Sequence, residues 1–203
     1  MGEIERAVAA LERGGTIVYP TETLYGLGVD ATSHAALQRL AELKERDPGK
    51  PIAVLVASRA MLQQIAASIP PFAEMLMAEF WPGPLTLAFR ARAGVSAVLT
   101  GGSDTVAARI SSHAIACTLV ERLGRPLTSP SANPAGAPPP RDVESARAYF
   151  GSRVDAYVDG GASAAGAAST VVDCSTDPPR LVRAGAIPAA AIEAVAEMQL
   201  RRE

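Results

Sequence analysis

The chain is poor in cysteine, histidine, lysine and aromatic residues, and each shortage removes a class of function. Its two cysteines, Cys117 and Cys174, are far apart, so they supply neither a disulfide framework nor a Cys-x-x-Cys zinc site. The two histidines, His34 and His113, lie in separate segments and argue against a dedicated transition-metal site. No run approaches the roughly 18 uninterrupted apolar residues that a membrane-crossing helix needs. Glu3, Glu5 and Glu12 interrupt the N-terminal segment in a way that a signal peptide does not tolerate, so a cytoplasmic protein with no membrane partner is expected. Lys+Arg 19 against Asp+Glu 21 leaves a net charge of −2, so any anion must be bound by a local cluster of cations. What remains is ordinary: 203 residues, 48% hydrophobic and 20% charged, suit one globular domain over residues 1–203.

Helical and extended patterns alternate from end to end. Ile4, Ala7, Val8 and Leu11 recur at helical spacing and stop at Gly14-Gly15. Thr16 to Tyr19 reads as a buried strand closed by Pro20. Ser33 caps a helix with the apolar face Leu37, Leu40, Ala41 and Leu43, and Ile52 to Ala57 is a continuous apolar run of the kind found in a strand covered on both faces. Helices are expected from Ser58, from Pro71 towards Trp81, around Leu119, over Asp142 to Phe150 and after Pro188. Strands are expected at Leu85–Phe89, Thr105–Ile110, Pro126–Ser129, Ala156–Val158, Thr170–Cys174 and Leu181–Arg183. This alternation predicts an α/β fold around a twisted, mixed, open sheet flanked by helices. Ala135 to Pro140 and Gly160 to Ser169 are compositionally biased and read as loops.

Familiar nucleotide and hydrolase motifs fail on inspection. Gly26-Leu-Gly28 lies too far beyond the first strand to be the tight turn of a dinucleotide fold, and no acidic residue follows at the required distance. Gly49-Lys50 is followed by Pro51, so it is not a Walker loop, and no Ser-His-Asp set suggests itself. The informative residues are polar ones in unexpected company. Both lysines, Lys44 and Lys50, flank Arg46 at a helix end, where cations also favour the helix dipole. Arg109 sits inside the strand-like Thr105-Val-Ala-Ala-Arg109, where an unpaired guanidinium is costly, and Arg183 repeats the pattern in Leu181-Val-Arg183. Structural ion pairs account for either arginine singly; a shared anionic ligand accounts for both and for the Lys44/Arg46/Lys50 group. Thr21, Thr23, Ser129, Ser131 and Ser169 stand beside strand ends, where the loops of an open α/β sheet converge on one crevice.

Six ordered blocks then carry a family likeness: Thr16-Ile-Val-Tyr-Pro-Thr-Glu-Thr-Leu-Tyr-Gly-Leu-Gly-Val-Asp-Ala31, Lys44-Glu-Arg46, Phe80-Trp-Pro-Gly-Pro-Leu-Thr86, Val106-Ala-Ala-Arg109, Ser129-Pro-Ser-Ala-Asn133, and Ser169-Thr-Val-Val-Asp173 with Leu181-Val-Arg183. Together they resemble the YrdC/Sua5 family over nearly the whole chain, and the resemblance is to its short bacterial form, without the further domain of longer members. It implies a YrdC-like fold with a large, concave, basic cavity. It also implies threonylcarbamoyl-AMP synthase activity, a nucleotidyl transfer in which L-threonine, bicarbonate and ATP, the last with Mg2+, give threonylcarbamoyladenylate and pyrophosphate. A separate tRNA-modifying threonylcarbamoyl transferase complex would use that product for the t6A modification of tRNA; direct tRNA binding by this chain, if any, is expected to be weak.

Carried over position by position, Thr23, Arg109, Ser129 and Ser169 resemble the threonine-binding set. Lys44, Arg46, Lys50, Thr105, Ser131, Asn133, Pro139 and Arg183 resemble the ATP-binding set, with Arg46 and Lys50 as electrostatic groups, and no residue is assigned as an acid or base. Two positions depart from the family pattern: Asp47 replaces the usual proline after Lys-x-Arg, and Leu55 stands where some members have a histidine. Gly160–Ser169 is expected to close over the adenylate. The competing expectations are an RNA-binding or ribosome-maturation factor and a paralogue that makes another carbamoyl adenylate. A pI near 5.8 and few aromatic-plus-basic stretches speak against the first.

Overall fold

A computed structural model describes residues 2–163 and 167–202. Helix α1 (Glu3–Glu12) buries Ala7, Ala10 and Leu11, and the chain turns at Gly14, whose φ of 73° is a left-handed conformation that glycine adopts without strain. Strand β1 (Ile17–Tyr19) follows and pairs antiparallel with β2 (Gly26–Gly28). Helix α2 (His34–Leu43) starts at Ser33, whose hydroxyl accepts a hydrogen bond from the Ala36 amide at 3.3 Å. Next come β3 (Val54–Leu55), α3 (Arg59–Leu62), α4 (Pro71–Phe80), β4 (Leu85–Arg90), α5 (Ala97–Thr100) and β5 (Thr105–Arg109). The remainder is α6 (Ala114–Leu123), β6 (Leu127–Thr128), α7 (Val143–Phe150), β7 (Ala156–Tyr157), β8 (Thr170–Asp173), β9 (Arg180–Arg183) and α8 (Ala189–Ala196).

The expected mixed open sheet is present, with six strands in the order β6-β3-β5-β4-β8-β9. The pairs β3–β5 and β4–β8 are parallel and the other three are antiparallel. A second sheet, β2-β1-β7, is an element that the alternation alone did not separate. The two sheets meet where β2 runs beside the segment after β6: the Leu27 amide donates to the Pro130 carbonyl at 2.8 Å, and Gly26 forms an isolated bridge with Ser131. The buried Tyr19 hydroxyl donates to the Thr128 carbonyl at 2.8 Å, so a full aromatic ring is taken from water without leaving its polar end unpaired.

Strand alternation decides where the core sits and where a ligand could sit. Leu87 and Phe89 of β4, Val106 and Ala108 of β5 and Val172 of β8 are all fully buried on one face of the large sheet. Thr86, Ala107, Arg109 and Val171 occupy the alternate positions of the same strands and face a cavity. Small and polar side chains on that face leave room where large apolar ones would fill it.

The structure shortens some expected elements. Of the apolar run Ile52–Ala57, only Val54 and Leu55 are strand, paired with β5 and β6, while the Val56 amide donates to the Arg109 carbonyl and the Ala53 carbonyl accepts from the Ser129 amide at its two ends. Gly26–Gly28, not among the expected strands, is a strand, and its glycines serve packing: a Cβ on Gly28 would lie 2.8 Å from the Tyr19 ring and 3.0 Å from Leu127. No helix among the described residues is long and apolar enough to cross a membrane.

Candidate active site

The cavity above the large sheet has a volume of about 490 Å³. It lies between Thr21–Gly26 and Ser129–Ser131 on one side and Ser169, Val182 and Arg183 on the other, with the Arg46 to Pro51 segment at its edge. Arg46, Lys50, Arg109 and Arg183 line it together with the hydroxyls of Thr21, Thr23, Thr86, Ser129, Ser131 and Ser169. A neighbouring hollow shares Arg46 and Lys50 but is otherwise bounded by groups such as Ala41, Ile52, Ala97 and Val98, and lacks those hydroxyls.

Two of the cations, Arg46 and Arg183, are held by backbone carbonyls. Arg46 follows Glu45, whose φ of 51° is unusual for a residue with a side chain, and this left-handed bend ends α2 abruptly. The Arg46 guanidinium donates to the Lys50 carbonyl at 3.1 Å and the Pro51 carbonyl at 2.5 Å, which folds residues 46–51 back on themselves. Burial lowers its pKa while the Asp47 carboxylate opposes that shift. Arg183 donates from Nε and Nη2 to the Ser169 carbonyl at 3.1 and 2.9 Å, and from Nη2 to the Ser169 hydroxyl at 3.0 Å. Ser169 in turn shares a hydrogen bond of 2.9 Å with Thr86. Partial burial lowers the pKa of Arg183 as well, while its side chain remains exposed at the cavity rim, where an entering anion can reach it.

Arg109 is 4% exposed at the end of β5. Its Nη2 lies 3.5 Å from the hydroxyls of both Thr23 and Ser129, so residues from three separate segments converge on one group. Its Nη1 is ion-paired with Glu22. Burial, with a smaller push from the like charge of Arg183, lowers the guanidinium pKa to about 10, and Tyr19 opposes that shift.

Three comparisons bear on this arrangement. The family model Sua5/YciO/YrdC, described as "Telomere recombination", matches residues 9–185. The chain belongs to the Sua5/YciO/YrdC family. It is 40% identical over 193 residues to the threonylcarbamoyl-AMP synthase of Pyrococcus abyssi, which covers 95% of this chain and 57% of that protein. It is 40% identical over 168 residues to the threonylcarbamoyl-AMP synthase of Thiobacillus denitrificans, covering 83% and 89% of the two chains. The crystal structure of P. abyssi Sua5 complexed with L-threonine superposes with a TM-score of 0.93 at 40% identity, covering 98% of this chain and 58% of that one. The chain thus spans a little over half the length of the P. abyssi protein.

Among the residues that the YrdC/Sua5 likeness singles out, Thr23, Arg46, Lys50, Arg109, Ser129, Ser131, Ser169 and Arg183 all line the cavity. Four others are not among its lining residues. Thr105 shares the sheet face of Ala107 and Arg109 but sits farther along β5, with its hydroxyl 3.2 Å from that of Ser103. Lys44 is 4% exposed and donates to the carbonyls of Ser131 and Asn133 at 2.5 and 2.6 Å, so its charge is directed into the loop that carries Ser131. Asn133 donates to the carbonyls of Pro134 and Ala137, bracing the turn that leads to the exposed Pro139.

The two departures also have definite places in this family member. Asp47 caps the Gly49 amide at 3.0 Å and lies 4.0 Å from the Lys50 ammonium. Leu55 is 1% exposed in β3 and borders a small cavity with Pro82 and Cys117, and it is not among the residues lining the main cavity. The expected closing segment Gly160–Ser169 includes residues 164–166, which lie outside the described residues. Glu22 was not anticipated. The structural ion pair that the sequence left open for Arg109 is made by this acidic residue of Pro20-Thr-Glu-Thr23.

Proposed function

We propose that this protein is a threonylcarbamoyl-AMP synthase. The observation that carries the reading is the meeting of Arg46, Lys50, Arg109 and Arg183, drawn from distant parts of the chain, around one cavity with the hydroxyls of Thr23, Ser129, Ser131 and Ser169. Four cations suit a ligand that combines a polyphosphate with a carboxylate. The names of the relatives, and L-threonine in the P. abyssi structure, supply the identity of the two substrates.

In this reading Arg109 Nη2, with the Thr23 and Ser129 hydroxyls, receives the threonine carboxylate. Arg46, Lys50 and Arg183 face the phosphates of ATP, with Ser131 donating a hydrogen bond, and magnesium enters with the nucleotide as part of the substrate. The threonine amine adds to CO2 derived from bicarbonate and loses a proton, giving a carbamate. A carbamate oxygen attacks the α-phosphorus, the bond from that phosphorus to the bridging oxygen breaks, and pyrophosphate leaves. No covalent enzyme intermediate is required. The work of the protein is to hold separate reactants in attack geometry and to neutralise charge gathering on the phosphorus and the leaving group. The adenylate then serves a separate transferase that modifies tRNA.

Incubation with ATP, magnesium, bicarbonate and single amino acids tests the reading by pyrophosphate release. Release that requires both threonine and bicarbonate is expected. Release indifferent to the amino acid, or RNA retention without any pyrophosphate, would overturn it.

A further inference from the structure

The ion pair between Arg109 and Glu22 divides the guanidinium between two surroundings. Nη1 faces the Glu22 carboxylate, whose other oxygen, Oε2, accepts a hydrogen bond from the Ser111 hydroxyl. That hydroxyl accepts from the His113 amide at 3.2 Å, and the His113 ring caps the start of α6 through the Ile115 amide at 3.3 Å. Glu22 is therefore tied, through Ser111, to the capping residue of a helix. Nη2 has no comparable partner among the described residues. The Thr23 and Ser129 hydroxyls stand at 3.5 Å, the outer limit of a hydrogen bond, and both line the cavity while Glu22 does not.

We propose that Glu22 is the positioning residue that sets Arg109 for the amino-acid carboxylate, by occupying Nη1 and leaving Nη2 turned to the cavity. This rests on the reading that the cavity takes an α-amino acid. A guanidinium is a rigid planar fork, so fixing one terminal nitrogen fixes the plane and the aim of the other. Without its carboxylate partner, Arg109 would be a buried cation with several empty hydrogen-bond positions on both sides, free to turn towards whichever acceptor came nearest. Glu22 also cancels one positive charge at the amino-acid end while leaving Arg46, Lys50 and Arg183 unopposed by it, which separates a near-neutral carboxylate site from a cationic phosphate site within one cavity.

The test is Glu22→Gln, which keeps the shape and an acceptor oxygen but removes the charge, read by calorimetric titration with L-threonine and by pyrophosphate-release kinetics. Loss of a charge-assisted anchor of this kind is expected to weaken threonine about tenfold in both Kd and KM. The KM for ATP should stay within about twofold, and kcat at saturating threonine should fall little, because Nη2 and the phosphate-side cations remain. Glu22→Asp, which restores the charge on a shorter stem, should recover part of the threonine affinity. Unchanged threonine affinity overturns the proposal, and so does equal weakening of threonine and ATP, which is the mark of a merely structural role. If Glu22→Gln does not fold, Ser111→Ala takes its place: a severalfold loss for threonine alone is expected, and no loss refutes the proposal. Wild-type protein that binds threonine but releases no pyrophosphate would refute the synthase reading and leave Glu22 to be judged by binding; wild-type protein that binds no threonine would refute the Glu22 proposal itself.

Discussion

Substituting Lys44 with methionine separates two roles that a lysine beside the proposed nucleotide site can have. Its ammonium donates to the Ser131 and Asn133 carbonyls, and its own carbonyl accepts from the Ala135 amide at 2.8 Å, so α2 is stitched to the loop that carries Ser131. Lys44→Met keeps the length but removes both hydrogen bonds, leaving the Asn133 carbonyl without its donor and the Ser131 carbonyl with only the Asn133 amide at 3.0 Å, at a cost of about 1–3 kcal/mol for each bond lost. Against that stands a gain. Burial and the nearby Arg46 lower the Lys44 pKa from 10.5 to about 8. At about 1.4 kcal/mol per unit, removing that charge at neutral pH returns roughly 3 kcal/mol. The net loss at pH 7 is therefore modest, on the order of 1 kcal/mol. The pH dependence is more telling. Between about pH 8 and 10.5 the unfolded lysine still holds its proton and the folded one does not, so this group makes the wild type more stable as pH rises through that window. Methionine cannot do so. Urea unfolding at pH 7 and pH 9.5 should show the gap between wild type and Lys44→Met widening by about 2 kcal/mol, since a neutral amine still donates to both carbonyls. The KM for ATP should rise severalfold as Ser131 loosens, with threonine binding retained. A gap that stays constant or narrows with pH would refute the clamp, and an unchanged KM for ATP would refute its link to the site.

Two further substitutions probe other parts of the cavity. Arg183→Ala removes the contacts that hold Ser169 and one of the cations proposed to face phosphate; initial-rate kinetics should show the KM for ATP rising about tenfold or more, for a charged hydrogen bond of roughly 1.5–3 kcal/mol, with kcat less affected. Gly185→Ala would put a methyl group within 2.5 Å of backbone atoms of Ser169 and Thr170, at a place where no side chain can swing aside. Thermal or urea unfolding should register a loss of about 1–3 kcal/mol, the usual range for overpacking, and Arg183→Ala in the same assay should lose less.

The legible parts of this molecule were those that local chemistry decides. Ser33, Pro71 and Asp142 announce helix starts that the structure keeps, because a cap or a fixed φ acts within a few residues. The same holds for the alternation of β5, where Val106 and Ala108 are buried in the core and Ala107 and Arg109 face the cavity. Elements set by distant partners were not legible. β2 is a Gly-Leu-Gly strand that exists because β1 and the segment after β6 close in on its two glycines, and nothing within Gly26–Gly28 favours extension. Glu22 belongs to the same class: its position in sequence says only that a carboxylate lies between two threonines, and its pairing with a residue 87 positions away is a property of the folded sheet.

Lys44 and Arg46 show why a motif locates a site better than it assigns roles. The two residues are cations only two positions apart in the sequence, yet the left-handed bend at Glu45 between them sends one ammonium into backbone carbonyls and leaves the other cation on the cavity wall. In a regular helix, residues two apart project about 200° from each other and cannot serve one ligand from the same face. The bend removes that constraint by ending the helix between them, so the lysine can brace Ser131 while the arginine stands at the edge of the same cavity as Ser131. Replacing Glu45 with glycine, which adopts a φ of 51° without strain, should therefore preserve both contacts and the stability of the protein, whereas a β-branched valine at the same position should disturb the two together.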